Sequence, residues 1–308
     1  MKILLVNIDS KIPNLALAKI AKYHRDKGDE IIWDMPLVLC SKVYVSCVFT
    51  RNKYKAIQWR GKAEIGGSGY DLSTELPAEI ENVKPHINVG FTTRGCIRNC
   101  EFCIVPKKEG KIRIVGDLLD LWDGTTKDVS LLDNNILALP EHFEGVCRQA
   151  KENKIRIDFN QGLDHRLLTP EIAELLHKTP HKEYKFAFDR PSYLPTVDRA
   201  ITILQGAGIN RCTWYVLVGF DTTFNEDLWR CNYLKSRGQN VFVQRFETVY
   251  GNRKYTELAS WTAQHNMFHH FTFEDYLKAR NCKIVVDTDA PIQEARSGQM
   301  PLFAEAEK

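Results

Sequence analysis

Short apolar runs separated by polar, glycine-bearing and proline-bearing stretches divide the first third of the chain into small elements. Apolar runs of this length predict strands, and a 3.6-residue period predicts a helix that ends at Gly28. The predicted strands lie at residues 2–7, 30–33 and 43–49, and the helix at 15–27. Turn and connector signals follow at Gly66, Gly67, Gly69, Pro77 and Pro85. Residues 1–85 are therefore predicted to form a small N-terminal α/β region.

From residue 86 onward, apolar runs alternate regularly with helix-period stretches, which is typical of parallel α/β proteins. Six strands are predicted, at residues 87–92, 129–132, 155–159, 184–188, 213–218 and 241–246. The helices between them are predicted at residues 117–122, 141–151, 170–178, 194–204 and 226–236. Six strand–helix units favour a partial (β/α)6 barrel over residues 86–250 rather than a closed barrel of eight.

The last part of the chain, residues 251–308, is predicted to be a helical extension that ends in a polar tail. Its helices are expected at residues 255–265 and 273–280, and the tail begins after Pro301. No apolar run is long enough to form a signal peptide or to cross a membrane, so we expect a cytoplasmic protein without a membrane partner.

Composition narrows the functional classes. The 308 residues are 44% hydrophobic, which is sufficient for a substantial core, and the net charge of +3 is too small for a protein coated for nucleic-acid binding. Nine cysteines in a reducing compartment are more often thiols or metal ligands than disulfides.

Three cysteines form a CxxxCxxC loop directly after the first of the six predicted strands: Cys96, Cys100 and Cys103. A four-iron cluster held by three cysteines keeps one iron open for a chelating molecule. Zinc is the alternative, but a structural zinc site normally has four ligands, and only His86 lies near the loop. Nearby cations are expected to offset the thiolate charge: Arg94, Arg98, Lys107 and Lys108.

The triplet, with Phe102 before its last cysteine and its place after a first barrel strand, resembles the radical S-adenosylmethionine (SAM) superfamily over residues 86–250. The resemblance implies a 4Fe–4S cluster on the three cysteines. It also implies reductive cleavage of SAM to a 5′-deoxyadenosyl radical, which abstracts hydrogen from a small-molecule, nucleoside or macromolecular substrate. An external electron donor such as flavodoxin or ferredoxin would supply the electron.

The resemblance further implies SAM contacts from residues at the predicted strand ends, because loops at those ends converge on one cavity. Phe102 would lie near the adenine, and Asp133 and Asn134 would replace the family's Gly-Gly-Glu segment at the methionine amino group. Asp189 would hold the ribose and Gly219 would approach the adenosine. Two of these also have purely structural interpretations: Asp133 as a turn cap, and Asp189 as a partner of its neighbour or the start of a turn.

Polar residues concentrate after the third predicted strand, where a wall for cofactor or substrate is expected. They are Asn160, Gln161, Asp164, His165 and Arg166. We assign Asn160 to SAM, and Gln161, Asp164 and Arg166 to the substrate. Arg245, after the sixth strand, is a further substrate candidate because its guanidinium suits an anionic group.

The N-terminal region resembles a reduced form of the domain found in the cobalamin-linked and methylthiotransferase-like branch. The Asp-x-His-x-x-Gly pattern of that domain corresponds to Asp9, Lys11 and Asn14 here, and a lysine ammonium cannot coordinate cobalt. Cobalamin is therefore not expected, and the region is predicted to help close or dimerise the barrel. A second cluster is not expected either, because only Cys40 and Cys47 precede the loop.

A basic segment at residues 51–62 keeps two further alternatives open. It has five basic residues and no acidic one, with Tyr54 and Trp59 interleaved, which is compatible with RNA or nucleoside modification. The simpler interpretation is an exposed basic edge whose two aromatic residues are anchored in the core. A non-catalytic zinc or iron–sulfur protein that binds nucleic acid is the other alternative.

Overall fold

A four-stranded parallel sheet forms the N-terminal region of the computed structural model, which describes residues 1–35, 38–282 and 284. Its strands are β1 (Lys2–Asn7), β2 (Glu30–Trp33), β3 (Lys42–Ser46) and β4 (Glu64–Gly66), in the order β2-β1-β3-β4. The helices are α1 (Leu15–Asp26), α2 (Lys53–Ile57) and α3 (Ala78–Glu81). The predicted strands at residues 2–7 and 30–33 are confirmed, whereas β4 and α2 were not predicted.

The apolar run of β1 is continuous because this central strand is covered on both faces. Ile3 and Leu5 pack into one core cluster with α1, and Leu4 and Val6 pack into another with β3. Asn14 caps α1 through a hydrogen bond from the Leu17 N–H to its side-chain oxygen, 3.1 Å long.

A second parallel sheet follows, with the strands β5 (Val89–Gly90), β8 (Asp128–Leu131) and β9 (Arg156–Phe159) in the order β5-β8-β9. Between β5 and β8 lies an antiparallel pair, β6 (Thr93–Arg94) and β7 (Arg113–Ile114), with the short helix α4 (Val105–Lys108) in its connection. Helix α5 (Pro140–Asn153) links β8 to β9.

Two sequence-based predictions differ from the structure in this region. The strand predicted at residues 87–92 is only two residues long, because His86 and Asn88 have positive φ angles of 49° and 60° and turn the chain. The helix predicted at residues 117–122 is a turn. There the Asp117 carboxylate accepts the backbone N–H groups of Leu119 and Asp120, and such local bonds compete with a helix.

A third parallel sheet contains β10 (Lys185–Ala187), β11 (Thr213–Val218) and β12 (Asn240–Arg245), in that order. Its helices are α6 (Pro170–Lys178), α7 (Leu194–Gly206), α8 (Phe224–Ser236), α9 (Arg253–Ala263), α10 (His265–His270) and α11 (Phe273–Ala279). The predicted strand 213–218 and helix 170–178 are confirmed, and α9 to α11 agree with the predicted helical extension. The polar tail predicted after Pro301 lies outside the described residues.

The backbone packs as two compact units. One contains Met1–Leu163 and Leu175–Tyr184, and the other contains Asp164–Glu174 and the described residues from Lys185 onward. The predicted α/β class is confirmed by the parallel sheets. The six strands of the predicted barrel belong to two separate sheets, one in each unit, so the partial barrel stays a prediction. The division at residues 85 and 250 also stays a prediction. Within the described part of the chain, no helix has the length and apolarity needed to cross a membrane.

Candidate functional site

The three cysteines of the CxxxCxxC loop lie between β6 and α4, and all three are half-buried. The loop turns tightly, because the Cys103 N–H donates to the Cys100 carbonyl oxygen at 3.0 Å. The Cys96 sulfur accepts two hydrogen bonds, one from the Arg98 backbone N–H at 3.3 Å and one from the Asn135 side-chain amide at 3.5 Å. Hydrogen bonds from N–H groups to a ligand sulfur are a common feature around metal-binding cysteines.

The side chain of Glu109 connects this loop to the segment that follows β8. Its carboxylate accepts the Gly95 N–H at 3.0 Å and the Asn134 side-chain amide at 2.8 Å. Arg94 lies 3.3 Å from its other oxygen and also within 3.7 Å of Glu81. The guanidinium of Arg94 thus pairs with two carboxylates, and its part in offsetting the thiolate charge stays a prediction.

Gly95 sets the course of the chain into the first cysteine. Its φ angle is +83°, a conformation that side chains disfavour, and a Cβ there would lie 2.3 Å from the Lys111 carbonyl oxygen. The neighbouring Cys96 N–H donates to the Gly110 carbonyl oxygen at 3.2 Å. The loop is thus closed against the backbone that leads into β7, at a contact where only glycine fits.

Asp133, two residues after the end of β8, is buried. Its Oδ1 accepts the hydroxyl hydrogen bond of Thr92 at 2.9 Å and that of Thr93 at 2.5 Å, together with both backbone N–H groups. Its Oδ2 has one long contact, 3.3 Å from the Thr92 nitrogen. Burial raises the pKa of Asp133, and the threonine hydrogen bonds oppose that rise. The carboxylate therefore fixes the chain just before the cysteine loop, and its predicted contact with the amino group of SAM stays a prediction.

The remaining predicted residues of this unit are Asn160, Gln161 and Phe102. Asn160 follows β9 directly, and its N–H donates to the Leu131 carbonyl oxygen at 3.0 Å. Gln161 is exposed, and Phe102 is half-buried. The Asn135 amide donates directly to the Cys96 sulfur. The Asn134 amide donates to Glu109, which also accepts the Gly95 N–H. SAM contacts from any of these side chains stay a prediction.

Asp164 and Arg166, both predicted substrate residues, form an ion pair with each other in the second unit. The Arg166 Nε lies 2.7 Å from the Asp164 carboxylate, which also accepts the Arg166 backbone N–H. Between them, His165 is buried, and one of its ring nitrogens lies 3.1 Å from the Thr196 hydroxyl oxygen. The pair shapes its own turn, so its part in substrate binding stays a prediction.

Asp189 lies at the carboxyl end of β10, beside a buried pair on α8. Burial raises the pKa of Asp189 to about 6, and the charge of Arg230 opposes that rise. Arg230 has no exposed surface and donates to the backbone carbonyl oxygens of Phe188 and Leu217 and to the Asp227 carboxylate. One guanidinium thereby ties together the carboxyl ends of β10 and β11.

Gly219 and Arg245 lie at the carboxyl ends of β11 and β12. The Gly219 N–H donates to the Asp227 carboxylate at 3.2 Å, and a Cβ at this glycine would lie 2.3 Å from the Val249 side chain. Arg245 donates to the Thr256 hydroxyl at 2.8 Å. Their predicted roles at adenosine and substrate stay predictions.

Sequence reasoning missed one residue at the cysteine loop and two at the strand ends of the second unit. Glu109 carried a signal, because it is the single acidic residue between Glu101 and Asp117 in a strongly basic stretch. Asp227 and Arg230 carried none, since a charged pair on a helix is usually solvated.

The donor chemistry of the cysteine loop fits a 4Fe–4S cluster. All nine cysteines fall within the described ranges and are thiols. Burial raises the pKa of Cys147 to about 11 and that of Cys231 to about 12, so these core thiols are poor ligands. The loop thiols are half-buried, and Cys96 has N–H donors. Considering the described residues alone, no group of three histidine, cysteine or acidic side chains is arranged to hold a metal ion.

Fold and site together define an α/β protein with parallel sheets and a cysteine loop at a strand-end edge. No protein-family model matches the chain, and no relative was found among the curated proteins. Among solved structures, the chain is similar to Streptococcus suis SuiB, which was crystallised bound to the precursor peptide SuiA. The TM-score is 0.42 and the identity 12%, over 76% of this chain and 58% of the SuiB chain. The chain thus matches less than two thirds of SuiB, and a similarity of this size identifies neither its family nor its substrate.

Proposed function

We propose that this chain is a radical SAM enzyme that holds a 4Fe–4S cluster on Cys96, Cys100 and Cys103. The observation that carries the proposal is the pair of N–H donors on the Cys96 sulfur, from Arg98 and Asn135, within a loop of three half-buried thiols. Hydrogen bonds to ligand sulfurs stabilise their negative charge and raise the reduction potential of iron–sulfur clusters.

When bound, a reduced cluster supplies the electron for SAM cleavage, and 5′-deoxyadenosine is formed once hydrogen has been taken from a substrate. Glu109 would hold the loop in position by accepting from Gly95 and Asn134. Asp133 Oδ2, which has one long hydrogen bond, would accept a hydrogen bond from the ammonium group of SAM. The other oxygen, Oδ1, would keep the chain before the loop in place.

In the second unit, polar groups also lie at the strand ends. Asp189 would accept hydrogen bonds from ribose hydroxyls, and Arg230 would keep the end of β10 in place for that contact.

Anaerobic reconstitution tests the proposal. Purified chain is incubated with iron, sulfide, SAM and dithionite, and 5′-deoxyadenosine is quantified beside a variant in which Cys96, Cys100 and Cys103 are all alanine. We expect 5′-deoxyadenosine from the wild type alone. Equal amounts from both proteins would overturn the assignment. Stoichiometric zinc in protein produced without oxygen would favour the non-catalytic alternative.

A further inference from the structure

A stretch without carboxylates lies between Asp34 and Glu64. Residues 35–63 contain six basic side chains and no acidic one. Five of the six are exposed and fall in one segment: Arg51, Lys53, Lys55, Arg60 and Lys62. The sixth, Lys42, lies 2.8 Å from Glu64. Within the part of the chain that the structure describes, Lys53, Lys55, Arg60 and Lys62 have no carboxylate at ion-pair distance. These four side chains therefore carry a local positive charge that no carboxylate of the described residues offsets by an ion pair.

Two aromatic rings are exposed among these cations. Phe49 is 45% exposed and Tyr54 is 60% exposed. The Arg51 guanidinium lies 5.1 Å from the centre of the Phe49 ring, and the Lys55 ammonium lies 5.8 Å from that of Tyr54. Trp59, by contrast, packs beside a buried cluster. The expectation that Tyr54 and Trp59 are both anchored in the core is thus met by Trp59 and wrong for Tyr54. We call Phe49, Tyr54 and the five cations the basic-aromatic face.

Contacts with the core of the N-terminal region and with Asp9 hold the basic-aromatic face in position. Ala56 of α2 is fully buried in the core cluster that Trp59 also contacts. The Asp9 carboxylate accepts the backbone N–H groups of Val48 and Phe49 at 2.8 and 3.0 Å, and the Asn52 side-chain amide at 3.0 Å. Burial acts against ionisation of Asp9, but these hydrogen bonds together hold its pKa below the usual value. The backbone of a face held in this way loses little conformational entropy on binding.

We propose that the basic-aromatic face binds single-stranded nucleic acid, with the cations on phosphates and the rings of Phe49 and Tyr54 stacked on bases. Cations tracking a backbone beside exposed rings are the chemistry by which single strands are bound without sequence preference. An acidic protein would satisfy the charges but leave the two rings without planar partners. This face lies outside the cysteine loop, and its binding of nucleic acid does not depend on the radical reaction.

Fluorescence anisotropy of full-length protein with a labelled oligouridylate of about 12 nucleotides, a length within the usual site size, tests this proposal. The test variant changes Lys53, Lys55 and Lys62 to glutamine. The control variant changes Lys127, Lys151 and Lys278 to glutamine, which removes the same charge from exposed sites elsewhere. Circular dichroism and thermal unfolding check that all variants are folded. Each measurement is made before and after cluster reconstitution, so failure of radical chemistry and failure of binding are separately visible.

We expect the test variant to raise the Kd about tenfold and to reduce the slope of log Kd against log salt by about 2, since three phosphate contacts are lost. The control variant should stay near the wild type. Tyr54→Ala should weaken binding about tenfold through loss of stacking, whereas Tyr250→Ala, at another exposed tyrosine, should not. Equal weakening by both triple variants, or an unchanged Kd for Tyr54→Ala, overturns the proposal. Displacement of the RNA by polyglutamate at equal charge also overturns it, in favour of an acidic protein partner.

Discussion

At the scale of single residues, the contacts that matter most are made by charged side chains with little exposed surface. The Glu109 carboxylate is 10% exposed and joins the cysteine loop to the residue after Asp133. Arg230, with no exposed surface, joins two strand ends. Such groups are costly to bury, so their hydrogen bonds must be nearly complete. A sequence pattern that assigns apolar residues to the core and polar residues to the surface therefore predicts the burial of these two side chains wrongly.

Replacing Glu109 by alanine should loosen the cysteine loop without unfolding the protein. Gly95 N–H and the Asn134 amide would lose their shared acceptor, and cluster loading depends on the position of that loop. We expect iron and sulfide per chain after anaerobic reconstitution to fall several-fold, with little change in Tm. Glu144→Ala, at an exposed carboxylate on α5, is the control. Equal iron content in both variants would show that Glu109 does not position the loop.

Asp189→Asn should alter how stability depends on pH. Folding raises the pKa of Asp189 to about 6, whereas an unfolded aspartate titrates near about 3.9. Folding thus favours the protonated form, and this contribution is complete below the unfolded pKa and lost as pH rises through about 6. The asparagine variant does not titrate and avoids that loss. Urea unfolding should show the variant gaining stability relative to the wild type between about pH 4 and pH 7, and a constant difference would contradict the assignment.

At the scale of elements, the long, regular pieces follow their hydrophobic pattern and the short pieces follow local contacts. β1, β2, β11 and α6 have the predicted bounds, because each has a clear apolar run or helical period. β4 has three residues and α2 five, too few for a period. The predicted strand 87–92 is shortened by positive φ angles at His86 and Asn88, which the pattern does not encode.

Gly95 and Gly110, which lie before and after the cysteine loop, allow a matched test of the loop's geometry. Gly95 and Gly110 both have positive φ angles, +83° and +71°, so alanine strains the backbone at either site. A Cβ at Gly95 would also lie 2.3 Å from a carbonyl oxygen, whereas one at Gly110 has nothing within 4 Å. Gly95→Ala should therefore lose far more iron after reconstitution than Gly110→Ala. The ultraviolet–visible absorption of the cluster measures the difference, and similar losses would mean that backbone strain alone decides loading.

At the scale of the whole molecule, the core is built without the cysteine loop. Most buried residues of each unit come from sheets and helices, while the three loop thiols are half-buried. The alanine variant of Cys96, Cys100 and Cys103 should therefore keep the far-ultraviolet circular dichroism and the Tm of metal-free wild type. A structural zinc protein behaves differently, because metal removal unfolds it. Unfolding of the metal-free wild type at ordinary temperature would contradict this prediction.

The sequence by itself determined the α/β class, most long strands and helices, and the CxxxCxxC loop after a first strand, because apolar periodicity and ligand spacing are local properties of the chain. Only the tertiary structure decided which polar residues meet. It placed Asn135 on the Cys96 sulfur, Glu109 between Gly95 and Asn134, and Tyr54 at the surface. These outcomes depend on contacts between residues distant in sequence and on which side of an element packs against the core, and neither is written in the local pattern.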